Sequence, residues 1–236
     1  MKIDVITLFP KMFESPFEES IIKRAIKNNL IEIKTHNLRD WAIDNYGSVD
    51  DKPFGGDVGM LIRPEPVYNA LTKILESNPS QTLPLTGQGL DKTRVIMMSA
   101  RGKKFDQAKA EELSKLENLV ILAGHYEGFD QRISDYMVDE EISIGDYVLT
   151  GGELPAMVVI DSISRLIPGV LGKDESSRAE SWSESEIDGK KIRTIEYPQY
   201  TRPRDFMGKT VPEVLVSGDP KKIKQWQMEQ IKKTIK

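Results

Sequence analysis

Cysteine is absent from the chain, and histidine occurs only as His36 and His125. Disulfides, thiolate zinc sites and cysteine nucleophiles are thereby excluded, and so is a metal centre built from several histidines. No apolar run approaches the length that spans a bilayer, and the first residues lack the pattern of a secretory signal. A cytoplasmic protein without a membrane partner is therefore expected. No glycine-rich loop ends in Gly-Lys-Ser/Thr, and no Gly-x-Gly-x-x-Gly follows an apparent strand. A nucleotide-like ligand must be held in another way. The rest of the composition is ordinary for a globular chain of 236 residues, with 39% hydrophobic and 30% charged positions.

Charge is unevenly spread. The net charge is −4, but Arg202 to Lys236 holds nine Lys/Arg against four Asp/Glu. That segment carries +5 and leaves −9 on the remainder. A basic tail on an acidic body suits a polyanionic partner, although a solvated amphipathic helix produces the same pattern.

Local patterns alternate between strand and helix. Lys2–Leu8, Leu30–Thr35, Arg94–Ser99, Leu119–Ala123 and a run leading into Ile144 read as strands. Ser15-Pro16-Phe17-Glu18 reads as a capping box that opens a helix to about Asn29. Pro64–Ser77, Phe105–Leu116 and Asp130–Met137 read as helices, and Glu153–Ile167 as an amphipathic helix closed by Pro168-Gly169. Pro79–Asp91 reads as a polar loop. The alternation predicts an α/β fold with a parallel sheet and crossover helices. Residues 172–189 are serine-rich and charged, as in a flexible linker. Beyond them, Pro212–Val216 and Pro220–Ile235 read as helices of a small C-terminal domain. The expected division is 1–171, a linker at 172–189, and a helical domain at 190–236.

Two glycine loops follow apolar strands. One is Gly124-His125-Tyr126-Glu127-Gly128-Phe129-Asp130; the other runs from Ile144 through Gly145, Gly151 and Gly152 to Pro155. Each alone is commonly a simple turn. Together, at strand ends in an α/β pattern, they predict a small-molecule pocket at the edge of a parallel sheet.

The run Ile144-Gly145-Asp146-Tyr147-Val148-Leu149-Thr150-Gly151-Gly152-Glu153-Leu154-Pro155-Ala156 resembles the signature of bacterial tRNA (guanine-N1)-methyltransferases of the TrmD type, in the SPOUT superfamily. Further matches lie in Leu8-Phe9-Pro10, Val49 to Gly56, Gly59-Met60, Gly124 to Asp130, Ile160-Asp161-Ser162, Arg165, Ile167 to Gly172 and Tyr200-Thr201-Arg202-Pro203. The resemblance implies a deep trefoil knot in the parallel sheet, followed by a linker and a small helical domain. It implies S-adenosyl-L-methionine as methyl donor, held by Ser99, Ala100, Gly102, Gly124, Tyr126, Glu127, Gly128, Ile144, Gly145, Tyr147, Leu149, Gly151, Gly152 and Pro155. It further implies tRNA as partner, with N1 of the guanosine just 3′ of the anticodon as acceptor. Asp50, Gly55, Gly59 and Arg202 fall where the family contacts tRNA. Active sites shared across a homodimer are also implied. The family's dependence on magnesium leaves Mg2+ as an open cofactor, with no metal ligand assigned.

Catalysis is assigned by the same resemblance to Arg165 and Glu180. The family places an aspartate at the position of Glu180, and Asp174 is the alternative base. Other departures are Ala100 for a common proline, Asp57-Val58 for Gly-Pro, and His125 for a common arginine. Two rival readings are another RNA-base methyltransferase of the same fold and an RNA-binding module without catalysis.

Overall fold

A computed structural model describes residues 1–76, 92–171, 180–187 and 189–234. The polar loop expected at Pro79–Asp91 and the alternative base Asp174 lie outside the described residues. The chain divides into two compact units, Met1–Gly172 and Lys173–Lys236.

The first unit is built on strands β1 (Lys2–Thr7), β2 (Glu32–Asn37), β5 (Thr93–Lys104), β6 (Asn118–Ala123) and β7 (Glu140–Ser143). They form one sheet in the order β2-β1-β6-β5-β7, with every neighbouring pair parallel. A short antiparallel pair, β3 (Asp50–Asp51) and β4 (Leu61–Ile62), stands apart. Helices α1 (Glu14–Phe17), α2 (Ser20–Lys27), α3 (Pro64–Glu76), α4 (Gln107–Leu113), α5 (Gln131–Tyr136) and α6 (Glu153–Ser164) complete the unit. Parallel strands cannot be joined by tight hairpins, so the chain crosses over between them.

The period-2 alternation of a strand explains the two cores. Ile3, Val5, Ile96, Met98, Leu119 and Ile121 face one layer with Ala156, Val159, Ile160 and Ile163 of α6. Ile6, Val95, Met97, Val120 and Leu122 face the other with Val67, Leu71 and Ile74 of α3. Burial on both faces is why β6 reads as a near-continuous apolar run, while β1, which alternates in sequence, is also buried from Ile3 to Thr7. A buried charged group, Asp4, lies within β1. Burial opposes the charge on Asp4, but His36 Nε2 at 2.7 Å and Lys2 Nζ at 3.0 Å outweigh it and hold its pKa below the ordinary carboxylate value.

Three elements differ from the sequence expectation. The capping box at Ser15 does not form: α1 begins at Glu14 with no side-chain cap, and the chain breaks at Glu19 before α2. Phe13 and Phe17 are both buried with ring centroids 6.0 Å apart, so packing overrides the cap. Strand β2 lies two residues later than expected, in register with β1 from Lys2↔Glu32 to Thr7↔Asn37. Helix α6 is not amphipathic; it is buried nearly all round and leaves Leu154 and Val158 as its exposed apolar residues.

The second unit contains more than helices. Strands β8 (Ser183–Ile187) and β9 (Lys190–Thr194) form an antiparallel pair, and β8 falls within the stretch read as linker. Strands β10 (Asp205–Phe206) and β11 (Lys209–Thr210) form a second, shorter hairpin. Helices α7 (Glu213–Val216) and α8 (Pro220–Thr234) follow. The rings of Tyr197 and Tyr200 approach Trp226 of α8, with centroids 6.4 and 6.3 Å away.

Candidate functional site

The carboxyl ends of β6, β5 and β7 lie side by side because the three strands are adjacent and parallel. The chain segments leaving them surround a cavity of about 590 Å3. In an open α/β sheet, the crevice beyond the carboxyl ends is where ligands bind.

β5 contributes through an interruption. Met98 and Lys103 both pair with Ile142 of β7, so residues 99–102 loop away from the ladder. Ser99, Ala100 and Arg101 line the cavity. Gly102 does not; a Cβ there would meet the backbone N of Ile142 at 2.5 Å. Its role is close strand approach. The remaining residues named above for the donor, from Gly124 to Pro155, all line the cavity.

The second glycine pair clamps two loops together. Gly152 N donates to Gly124 O at 2.6 Å, and a Cβ on Gly152 would stand 2.8 Å from Gly124 N. On Gly151 a Cβ would meet His125 Nδ1 at 2.5 Å. These contacts leave no space for a side chain, so no larger residue fits without shifting the cavity wall.

A buried carboxylate stands behind this wall. Glu153, 1% exposed, opens α6. Thr7 Oγ1 donates to Glu153 Oε1 at 2.8 Å and accepts from Phe9 N at 2.9 Å. His125 Nδ1 is 3.7 Å from Glu153 Oε2 and is buried without a hydrogen bond. Thr7, His125 and Glu153 are far apart in sequence, which is why no motif announced their meeting.

The segment that carries Asp50 is stitched to the first glycine loop. Asp50 pairs with Ile62, and Ile62 bridges to Phe129. Ile62 N donates to Gly128 O at 2.9 Å, Asp130 N to Ile62 O at 2.9 Å, and Glu127 N to Met60 O at 3.1 Å. Gly59, with φ +105°, lies against the Glu127 side chain; a Cβ there would be 2.9 Å from its Oε1. Gly55, also at positive φ, stands in an exposed loop beside Phe54, which is fully exposed. Asp130 caps α5 through Arg132 N at 2.9 Å, and the Arg132 guanidinium holds its carboxyl below the usual carboxylate range.

Arg165 is the C-cap of α6, and its N–H donates to Asp161 O at 3.3 Å. Glu180 and Arg202 belong to the second unit. Glu180 O accepts from Ser183 N at 3.1 Å in the turn that enters β8. Sequence reasoning missed Leu61, Gln131 and Ser134 as lining residues. They come from β4 and α5, outside the glycine loops that drew attention. Among the described residues there is no group of three or more His, Asp or Glu that could hold a metal ion, and no helix is long and apolar enough to cross a membrane.

Comparison with known proteins matches the chain over its full length. The family model described as tRNA (Guanine-1)-methyltransferase TrmD matches residues 1–236. A tRNA (guanine-N(1)-)-methyltransferase of Dehalococcoides mccartyi is 49% identical over 237 residues, covering all of this chain and 88% of the relative. Proteins of the same name from Staphylococcus haemolyticus and Staphylococcus aureus are each 50% identical over 230 residues, covering 98% of this chain and 85% of theirs. With a whole-length family match and relatives near half identity, the chain belongs to the tRNA (guanine-1)-methyltransferase family of the TrmD type.

Proposed function

We propose that the chain methylates N1 of the guanosine 3′-adjacent to the tRNA anticodon, using S-adenosyl-L-methionine bound in the cavity at the sheet edge. The observation that carries this reading is the cavity itself, bounded by three glycine-bearing segments in a chain of this family. About 590 Å3 lies in the range of small-molecule sites. Its wall is largely backbone at Gly124, Gly145, Gly151 and Gly152, which suits a ligand recognised by main-chain groups. The donor fits this cradle, and when bound it supplies an electrophilic methyl group.

The protein's own groups deal with the acceptor. Guanine N1 carries a proton, which must leave as the new bond forms. The Glu180 carboxylate accepts that proton. The Arg165 guanidinium, always charged, stabilises negative charge growing on the purine oxygen. Asp50, on the strand tied to the first glycine loop, accepts from the guanine amino group.

The same reading makes the enzyme a knotted homodimer in the cytoplasm. Leu154, Val158, Asp161 and Arg165 recur at helical spacing on the face of α6 turned away from the core. The exposed apolar pair Leu154 and Val158 on an otherwise buried helix suits a self-associating surface, and the charged Asp161 and Arg165 continue that face towards a partner subunit. The close passage of Gly102 against β7 and of Gly152 against Gly124 suits a chain threaded through itself. The basic segment from Arg202 onward, with five lysines on α8, suits a grip on tRNA.

Single-turnover methyl transfer to tRNA with and without the target guanosine tests the function. Transfer only to the guanosine-bearing tRNA is expected. Transfer to both indicates another base as substrate, and binding without transfer indicates an RNA-binding module. For the donor site, Gly152→Val is expected to abolish donor binding by calorimetry. Its Cβ alone would stand 2.8 Å from Gly124 N and 2.9 Å from Ala123 Cα, so the branched side chain must push the cavity wall aside. Unchanged donor affinity in the folded variant would remove the loop from the site.

A further inference from the structure

The hairpin of β10 and β11 presents an apolar pair at its apex. Phe206 is 62% exposed and Met207 86% exposed. The apex residues of such a two-residue turn take positive φ, a role that asparagine, aspartate or glycine fills at little cost. Here Met207 has φ +56° and Gly208 φ +79°. A long apolar side chain thus occupies a left-handed position that L-residues disfavour, and its exposure shows that burial does not offset the strain.

The turn carries charge of both signs: Asp205 closes it through its side chain, and cations stand on its exposed side. Lys209 pairs directly across from Phe206 and is exposed, as is Arg202 before the hairpin. The mount is braced. Arg204 donates to both carboxylate oxygens of Glu213 at 2.7 and 2.8 Å, and Val211 N donates to Arg204 O at 2.9 Å. Gly208 N donates to Asp205 Oδ1 at 3.0 Å and closes the turn.

We propose that this apex is an RNA-stacking finger, in which Phe206 stacks on an unpaired nucleobase of the tRNA, Met207 covers the edge of that base, and Lys209 neutralises a neighbouring phosphate. The proposal rests on the reading of tRNA as substrate. An aromatic face accepts any base and an ammonium follows the backbone, so the finger adds affinity without reading sequence.

Methylation by the unaltered enzyme tests the substrate reading, while tRNA binding measured without donor tests the finger. Phe206→Ala is expected to weaken tRNA binding roughly 5- to 150-fold, the factor for stacking one base. The slope of log affinity against log salt should not change, because no charge is lost. Phe206→Trp should restore binding. Lys209→Ala should instead reduce that slope by about one. Met207→Gly suits the turn's backbone and so cannot act by unfolding it; it should keep or raise the melting temperature and still weaken binding. Unchanged RNA affinity in both Phe206→Ala and Met207→Gly overturns the proposal. A loss in Phe206→Ala that tryptophan does not restore also overturns it, since the ring would then serve the hairpin rather than a base.

Discussion

Replacing Glu180 by glutamine is expected to lower single-turnover methylation about 1,000-fold while donor and tRNA binding persist. General-base catalysis commonly contributes roughly 10²- to 10⁴-fold, and a neutral amide cannot take the guanine N1 proton. The substitution keeps the length of the side chain and the backbone bonds of the turn. Glu180 contributes its carbonyl, not its side chain, to the bond with Ser183 N, and the turn is fixed further by Trp182 N donating to Thr194 O at 2.6 Å. The turn should therefore survive in the variant. Glu180→Asp keeps the carboxylate and should remain active or improve. Length matters here because an error of about an ångström in placing a catalytic group can cost about 100-fold in rate. A near-normal Glu180→Gln enzyme together with an inactive Asp174→Asn enzyme would transfer the role to Asp174.

The parts of the fold legible in the sequence are those where one local rule acts alone. β6 is apolar on both faces, and its burial matches that pattern. The glycine loops at Gly124 and Gly151 mark close contacts that leave no room for a Cβ, so the glycines themselves carried the signal. Capping at Ser15 failed as a guide because Phe13 and Phe17 are drawn into the core, a tertiary effect that no four-residue pattern contains. The β8–β9 hairpin was concealed by its composition. Serine and glutamate suggest a solvated linker, although Asp188-Gly189 between two short alternating runs is a hairpin signal. The sequence expectation ends the strand at Ser99, whereas pairing with β7 resumes at Lys103 after an excursion that no local pattern reveals. The Thr7–Glu153 bond joins the end of the first strand to the start of α6 across 146 residues, beyond the reach of any local pattern.

Arg165→Ala and Glu180→Gln are each expected to be inactive alone and to complement each other when their subunits are exchanged. The geometry behind this expectation is the outward face of α6, where Arg165 follows Leu154, Val158 and Asp161 at helical spacing. A dimer joined through that face would carry Arg165 of one protomer towards its partner, and Glu180 lies beyond the end of the first unit, on the segment entering β8. If each active site combines Arg165 from one chain with Glu180 from the other, a mixed dimer places both lesions in one site and leaves the other site intact. Purified mixed dimers, verified by mass, should then recover about half of the normal activity, since a two-fold dimer has two equivalent sites. Recovery needs no new contact and no change in stability, only redistribution of existing side chains. If both residues serve one site from the same chain, every site in the mixed dimer retains one lesion and no activity returns. The two arrangements therefore differ by the full difference between an active and an inactive enzyme, measured in the same preparation with donor binding as the control for folding.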